Sequence, residues 1–157
     1  MTTVLALVLA MSTGVASALL PIVNGEAALT AAAWAHPAAL TLAVACALAL
    51  GQTAGKLVLF ESAGRAARRR QRPAPAAARH TGSRARRWQQ RSVRLLQDRW
   101  SGNGLVLLSA SVGVPPLAVV SLAAGGAGAR RTDFALCCLS GRTVRFLALA
   151  GTLIWLR

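Results

Sequence analysis

Apolar blocks separated by short polar breaks make up most of the chain, and one strongly basic stretch divides them into two sets. The blocks, rich in Ala, Leu and Val, cover residues 2–20, 21–35, 37–60, 104–129 and 134–155. A helix needs about 20 apolar residues to cross the roughly 30 Å hydrocarbon core of a bilayer. The first, third and fifth blocks meet this requirement, so we predict an all-α membrane protein with about three transmembrane helices.

The second block, residues 21–35, is too short to cross and contains helix breakers. Pro21 and Gly25 stand just before Glu26 in this block. Irregular backbone at membrane depth is tolerated only where protein or a cavity covers it. We therefore predict that the block is a re-entrant hairpin that enters and leaves on the outer side, with Glu26 near its tip.

The fourth block is interrupted in the same way, by Gly113, Pro115 and Pro116, and ends near Gly125. Basic residues flank both of its ends, which places both ends on the same side of the membrane. It is predicted to be a second re-entrant hairpin, and the two hairpin-plus-span units then form an inverted repeat, as in secondary transporters. Two ordinary spans that contain Pro and Gly would give a similar pattern, because both residues are common in membrane helices.

Charge predicts the orientation of these elements. The formal net charge is +14, and twelve of the 18 basic residues are arginines between Arg65 and Arg99. Lys and Arg accumulate in cytoplasmic loops, so this stretch is predicted to be cytoplasmic, with the N-terminus inside if the first block crosses. The organisation is one membrane domain with two halves joined by a basic loop, over residues 1–64, 65–101 and 102–157. We expect a multi-pass protein of a bacterial plasma (inner) membrane. The Ala and Arg bias is typical of a GC-rich genome, so position along the chain is more informative than raw composition.

Within the basic loop, residues 86–100 have the pattern of an amphipathic helix. Trp88, Leu95 and Trp100 fall on one side of a helical wheel, opposite Arg91. Such a helix lies on an anionic membrane surface, so anionic lipid headgroups are the expected partners of the loop. Nucleic acid is the weaker interpretation, because apart from the two tryptophans of this helix the arginines are not interleaved with aromatic residues, and the loop has no recognisable folded module.

Several kinds of chemistry find no support in the chain. Residues 15–18 are small, as at a signal-peptide cleavage site, but no basic residue precedes them, so we predict that the first helix is retained. Cys46, Cys137 and Cys138 lie in apolar blocks without metal-ligand spacing and are interpreted as small buried side chains. No Ser or Cys has a base at a motif spacing. We expect neither an enzyme nor a metal or cofactor site.

Charged side chains inside the apolar blocks are the candidate functional residues, because each costs about 2.5 to 3.5 kcal/mol on insertion scales. Glu26 is interpreted as a proton or cation site or as the partner of a buried arginine, and the alternative is a carboxylate at the outer interface. Arg142 and Arg145 are three residues apart and share a helix face. They could bind a lipid phosphate or neutralise Glu26, and the alternative is that both snorkel to the cytoplasmic surface.

Other charged and small residues are given structural roles. Glu61 stands four residues before Arg65, the favourable order for a helical ion pair, and Asp133 suits the N-terminal end of a helix. Gly51 and Gly55 have the GxxxG spacing that allows close helix contact, which is predicted here to lie within one chain.

The helix breakers and charges follow an order found in one family of membrane proteins. In the first half the matching residues are Gly25, Glu26, Gly51, Gly55, Phe60, Gly64 and Arg65. In the second half they are Pro115, Pro116, Ala124, Gly125, Phe134, Gly141, Arg142, Arg145 and Phe146. Over nearly its whole length the chain resembles a short, divergent member of the DedA, or SNARE-associated Golgi protein, family of VTT-domain proteins.

This resemblance implies a flippase or scramblase of undecaprenyl phosphate or phospholipids in membrane homeostasis. Glu26, Gln52, Arg142 and Arg145 would then contact the lipid, although Gln52 stands where many members carry an acidic residue. Two other functions stay open, a membrane adaptor whose basic loop binds anionic lipid or a cytoplasmic partner, and a subunit of a small-ion or metabolite transporter. Whether the chain forms a homo-oligomer is also left open.

Overall fold

The helices follow the apolar blocks, but their ends and directions differ from those predicted. The computed structural model describes residues 2–20, 23–70, 99–113 and 116–157, and these contain six α-helices and no β-strand. The helices are α1 (Thr2–Leu19), α2 (Gly25–Ala35), α3 (Ala38–Arg70), α4 (Arg99–Val112), α5 (Leu117–Gly126) and α6 (Arg131–Trp155). The all-α prediction is confirmed for this part of the chain. Pro21, Pro115 and nearly all of the predicted amphipathic helix at 86–100 lie outside the described residues.

Helices α3 and α6 are long and apolar enough to cross a membrane, whereas α1 is apolar but shorter. They contain two of the three predicted spans. Helix α3 continues past Phe60 to Arg70, because the Ala and Arg residues that follow are good helix formers. Since α4 begins at Arg99, the basic segment between the two halves is shorter at both ends than predicted.

Helix α1 runs parallel to α3, so both helices begin at the same end of the molecule. Met11 faces Gly51 and Ala18 faces Gly55, so the contacts advance together along the two helices. The prediction that residues 2–20 form a separate span antiparallel to α3 is therefore wrong. A Cβ on Gly51 would strike the Met11 carbonyl oxygen, so the GxxxG spacing does permit close packing within the chain.

Helix α2 is one continuous helix, so the hairpin predicted within residues 21–35 is also wrong. The Asn24 side chain accepts a hydrogen bond from the Glu26 backbone N–H at 2.9 Å and caps the start of the helix. The alanines that follow favour uninterrupted helix. The chain turns before Asn24, and α1 and α2 are the two arms of the first hairpin.

The second half repeats this arrangement with α4, α5 and α6. Helix α4 runs parallel to α6, since Ala110 approaches Gly141 while Ser111 approaches Arg145 further along both helices. Gly113, with φ of +89°, ends α4 in the left-handed region that glycine adopts without strain. Helices α4 and α5 are therefore the arms of a second hairpin.

Helices α3 and α6 are antiparallel and bring the two halves together. Glu61 on α3 pairs with Arg131 at the start of α6, while Arg157 at its other end donates to the carbonyl oxygen of His36 at 2.8 Å. One apolar cluster includes Leu48 and Phe146, and the other includes Phe60, Phe134 and Cys138. Residues 52–56 of α3 and 142–145 of α6 lie between these clusters.

Candidate functional site

The two hairpins meet at the polar segments between the apolar clusters. Glu26, in the first turn of α2, forms an ion pair with Nη2 of Arg145 on α6. The side chains of Glu26 and Arg145 are 41% and 26% exposed, so the pair is half-buried. Of the interpretations open for Glu26, the structure shows the one in which an arginine is its partner.

Arg145 also contacts the end of the second hairpin. Its Nη1 donates to the carbonyl oxygen of Ser111, in the last turn of α4, at 3.4 Å. A Cβ on Gly113 would lie 2.8 Å from the same nitrogen, so the absent side chain leaves room for the guanidinium group. One side chain from α6 thus connects the start of α2 to the end of α4.

Gln52 on α3 lies beside the first hairpin and is 6% exposed. Its Nε2 donates to Oγ of Ser17 at 2.8 Å, and Ser17 in turn donates to the carbonyl oxygen of Gly14 at 2.9 Å. In this orientation of the amide, Ser17 accepts from Gln52 and donates within its own helix. The Gln52 Oε1 atom is buried and accepts no hydrogen bond within the described residues.

Lys56 is a buried cation in this region that the sequence analysis did not select. It is 7% exposed, and its Nζ donates to the carbonyl oxygen of Ala18, in the last turn of α1, at 2.7 Å. The signal was available, because this is the chain's one lysine, it stands inside an apolar block, and it follows Gln52 by one helical turn.

Arg142 lies near the middle of α6, about 16 Å along the axis from Arg131 at 1.5 Å per residue. It is half-buried and close enough to interact electrostatically with Lys56, Cys138, Arg145 and Glu26. Its Nε is buried and donates no hydrogen bond within the part of the chain that the structure describes. The position and the burial of Nε both argue against the interpretation in which Arg142 snorkels to the surface.

The glycines and proline predicted to shape the hairpins lie at close contacts and turns. Gly25 is buried at the start of α2, where a Cβ would come within 2.6 Å of the Gln52 Nε2 atom. A Cβ on Gly125 would strike the carbonyl oxygen of Phe60, so α5 and α3 also approach closely. Pro116 directly precedes α5.

The carboxylates given structural roles lie at the basic end of the molecule. Glu61 accepts from Arg65 at 2.9 Å and from Arg131 at 2.8 Å, and both arginines are largely exposed. Asp133 lies in the first turn of α6, where it suits the helix dipole. An open cavity of about 600 Å³ at this end is lined by arginines, including Arg65 and Arg68, and by the glycine-rich segment after α5.

Comparisons with known proteins do not assign the chain to a class. No family model, no curated protein and no solved structure matches it. Among the described residues, no group of three or more His, Cys, Asp and Glu side chains is placed to hold a metal ion. The functional argument therefore depends on the arrangement of Glu26, Gln52, Lys56, Arg142 and Arg145.

Proposed function

We propose that this chain is an integral membrane protein of the DedA or VTT type that moves lipids between the leaflets of a bacterial plasma membrane, as a flippase or scramblase. The observation that carries the proposal is the contact of Arg145 with both Glu26 on α2 and Ser111 on α4. Through these two contacts, Arg145 joins both hairpins to the middle of α6, a helix long enough to cross a membrane.

The outer surface supports a membrane location. Large apolar side chains point outward on both long helices, among them Val58 at 57% exposed and Leu136 at 67%. Trp34 and Trp155 are exposed at the end where α3 begins, while arginines cluster at the other end. Exposed tryptophans mark membrane interfaces and arginines mark the cytoplasmic side, which favours the predicted orientation.

The hairpins support an inverted repeat. Helices α1 and α2 enter and return from the end where α3 begins, and α4 and α5 do so from the end where α6 begins. Because α3 and α6 are antiparallel, these ends are opposite, and in a membrane the hairpins would be re-entrant from opposite sides. Secondary transporters use such pairs to place a polar site near the bilayer midplane.

The mechanism that follows is a polar path for a charged headgroup. A headgroup cannot enter hydrocarbon without losing its hydrogen bonds, which costs several kcal/mol for a charged group. The buried polar groups of Gln52, Lys56 and Arg142 would replace water around it near the midplane. The ion pair of Glu26 and Arg145 contacts both hairpins, and it would break and re-form as a headgroup passes.

The test is lipid movement in liposomes that contain the purified protein and a headgroup-labelled anionic phospholipid. The chain is expected to accelerate flipping, and Glu26→Gln to reduce the acceleration about tenfold or more, as loss of one charged hydrogen bond allows. Glu61→Gln is the matched control, because Glu61 lies at the basic end, and it should keep the wild-type rate. No acceleration by the wild type, or an unchanged rate in Glu26→Gln, contradicts the proposal.

An adaptor function is the second candidate, favoured by the twelve arginines between Arg65 and Arg99. Deletion of residues 71–86 removes four of these arginines and no residue of a described helix, and should weaken binding of an adaptor to anionic vesicles or a cytoplasmic partner. A lipid transporter should keep most of its flipping activity after this deletion. Ion flux without lipid movement in the same liposomes would instead favour a small-ion transporter subunit.

A further inference from the structure

The charges between the apolar clusters do not balance. Three cationic side chains, Lys56, Arg142 and Arg145, lie there with the single carboxylate of Glu26, which pairs with Arg145. The chain has only four acidic residues. Glu61 and Asp133 are at the basic end and Asp98 lies outside the described residues, so within the described part Glu26 is the one carboxylate near these three cations. It pairs with Arg145 and also interacts electrostatically with Arg142.

Burial makes this imbalance informative. Removing an ammonium or guanidinium group from water costs several kcal/mol unless an opposite charge or hydrogen bonds compensate. Among the described residues Lys56 has one compensating hydrogen bond, to the Ala18 carbonyl oxygen at 2.7 Å, which carries only a partial charge at the end of a helix. Arg142 has a buried Nε without an acceptor in the described residues.

Gln52 adds a hydrogen-bond acceptor to these two cationic donors. It precedes Lys56 by four residues and lies on the same face of α3. Its buried Oε1 atom accepts no hydrogen bond from the residues that the structure describes, while its Nε2 donates to Ser17. The region therefore offers two cationic donors and, one turn away, an acceptor that requires a hydroxyl or N–H group.

We infer that Lys56, Arg142 and Gln52 form a buried site for a phosphate group that carries a neighbouring hydroxyl, beside the Glu26 and Arg145 pair. Phosphate oxygens accept from ammonium and guanidinium groups in charge-assisted hydrogen bonds. The hydroxyl would donate to Gln52 Oε1. An anionic phospholipid whose headgroup ends in hydroxyls, such as phosphatidylglycerol, has both features.

This inference rests on the proposed function only for the source of the phosphate, a membrane lipid. Its test is binding in detergent, which needs no transport. The protein in an uncharged maltoside detergent is titrated with short-chain phosphatidylglycerol, short-chain phosphatidylcholine and inorganic phosphate, and heats of binding are measured. We expect phosphatidylglycerol to bind and phosphatidylcholine to bind at least about tenfold more weakly, because its choline cation is repelled by the two cationic side chains and it has no hydroxyl to donate to Gln52 Oε1.

Three variants identify the site. Lys56→Gln and Arg142→Gln should each weaken phosphatidylglycerol binding about tenfold or more, because each removes a charged hydrogen bond to the phosphate. Lys56→Arg keeps the charge and should retain binding. Arg65→Gln, which removes an exposed arginine at the basic end, is the control and should bind as the wild type does. If Lys56→Gln fails to fold because the Ala18 contact is lost, Arg142→Gln still decides, because Arg142 caps no helix in the described structure.

Equal binding by wild type, Lys56→Gln and Arg142→Gln would overturn the site. Binding of inorganic phosphate without binding of the short-chain lipid would overturn the lipid source. Flipping that persists while detergent binding fails would reject this site and leave the proposed function standing. Binding in detergent without flipping in liposomes would support this site and contradict the proposed function.

Discussion

Breaking the Glu26 and Arg145 pair should lower stability in a way that is not additive. The pair is 41% and 26% exposed on its two sides, so water screens part of the attraction. Its coupling energy should fall between the roughly 0.2–1 kcal/mol of an exposed pair and the 3–5 kcal/mol lost when a buried pair is broken. We expect about 1–2 kcal/mol for the coupling, because Arg145 is the more buried partner and also contacts α4.

The assay is a double-mutant cycle of Glu26→Gln, Arg145→Gln and the double variant, unfolded thermally in detergent. Cys138 is fully buried and reports unfolding through its reaction with a thiol-specific dye, once Cys46 and Cys137 are replaced by Ala. Each single variant should unfold more easily, and the double variant should lose less than the sum. Additivity within about 0.3–0.5 kcal/mol would refute a direct interaction.

Three further changes test the packing around the site with the same reporter. Gly51→Ala should destabilise because its Cβ would meet the backbone of α1, while Gly104→Ala, with open space around it, should be neutral or slightly stabilising; equal effects would contradict the close α1–α3 contact. Gly113→Ala should lower the free energy of unfolding by about 1 kcal/mol or more, since a residue with a Cβ is strained at φ of +89°. Unchanged stability would show that this position does not require glycine. Phe134→Ala should cost about 3–5 kcal/mol, because the ring is 2% exposed and stacks on a second ring; a loss under about 1 kcal/mol would contradict its place in the core.

Position in the apolar blocks was sufficient to select most of the site. Glu26, Arg142 and Arg145 stood out because charge is costly in hydrocarbon, and the structure places all three between the apolar clusters. Lys56 was not selected from the sequence, although a lysine inside an apolar block carries the same cost. Gln52 and Lys56 are four residues apart and share one face of α3, whereas the family resemblance points to Gln52 alone.

Direction was harder to predict than helix formation. An apolar block predicts a helix but not the partner it lies against, so α1 was assigned a crossing of its own. The contact of Met11 with Gly51 is a tertiary feature that periodicity does not contain. The hairpin at residues 21–35 was placed wrongly for a related reason, since the Asn24 cap and the alanines after it favour one helix over a second turn.

The central claim is that two hairpins enter from opposite sides and bring a polar site to the middle of the membrane. It is tested by the labelling of single cysteines with a membrane-impermeant maleimide, at Thr3, Trp34 and Gly128 in a variant whose native cysteines are replaced. All three positions are exposed in the structure. We expect Thr3 and Trp34 to label from the outside and Gly128 from the cytoplasm, whereas labelling of Thr3 together with Gly128 would make α1 a separate span and remove the first hairpin.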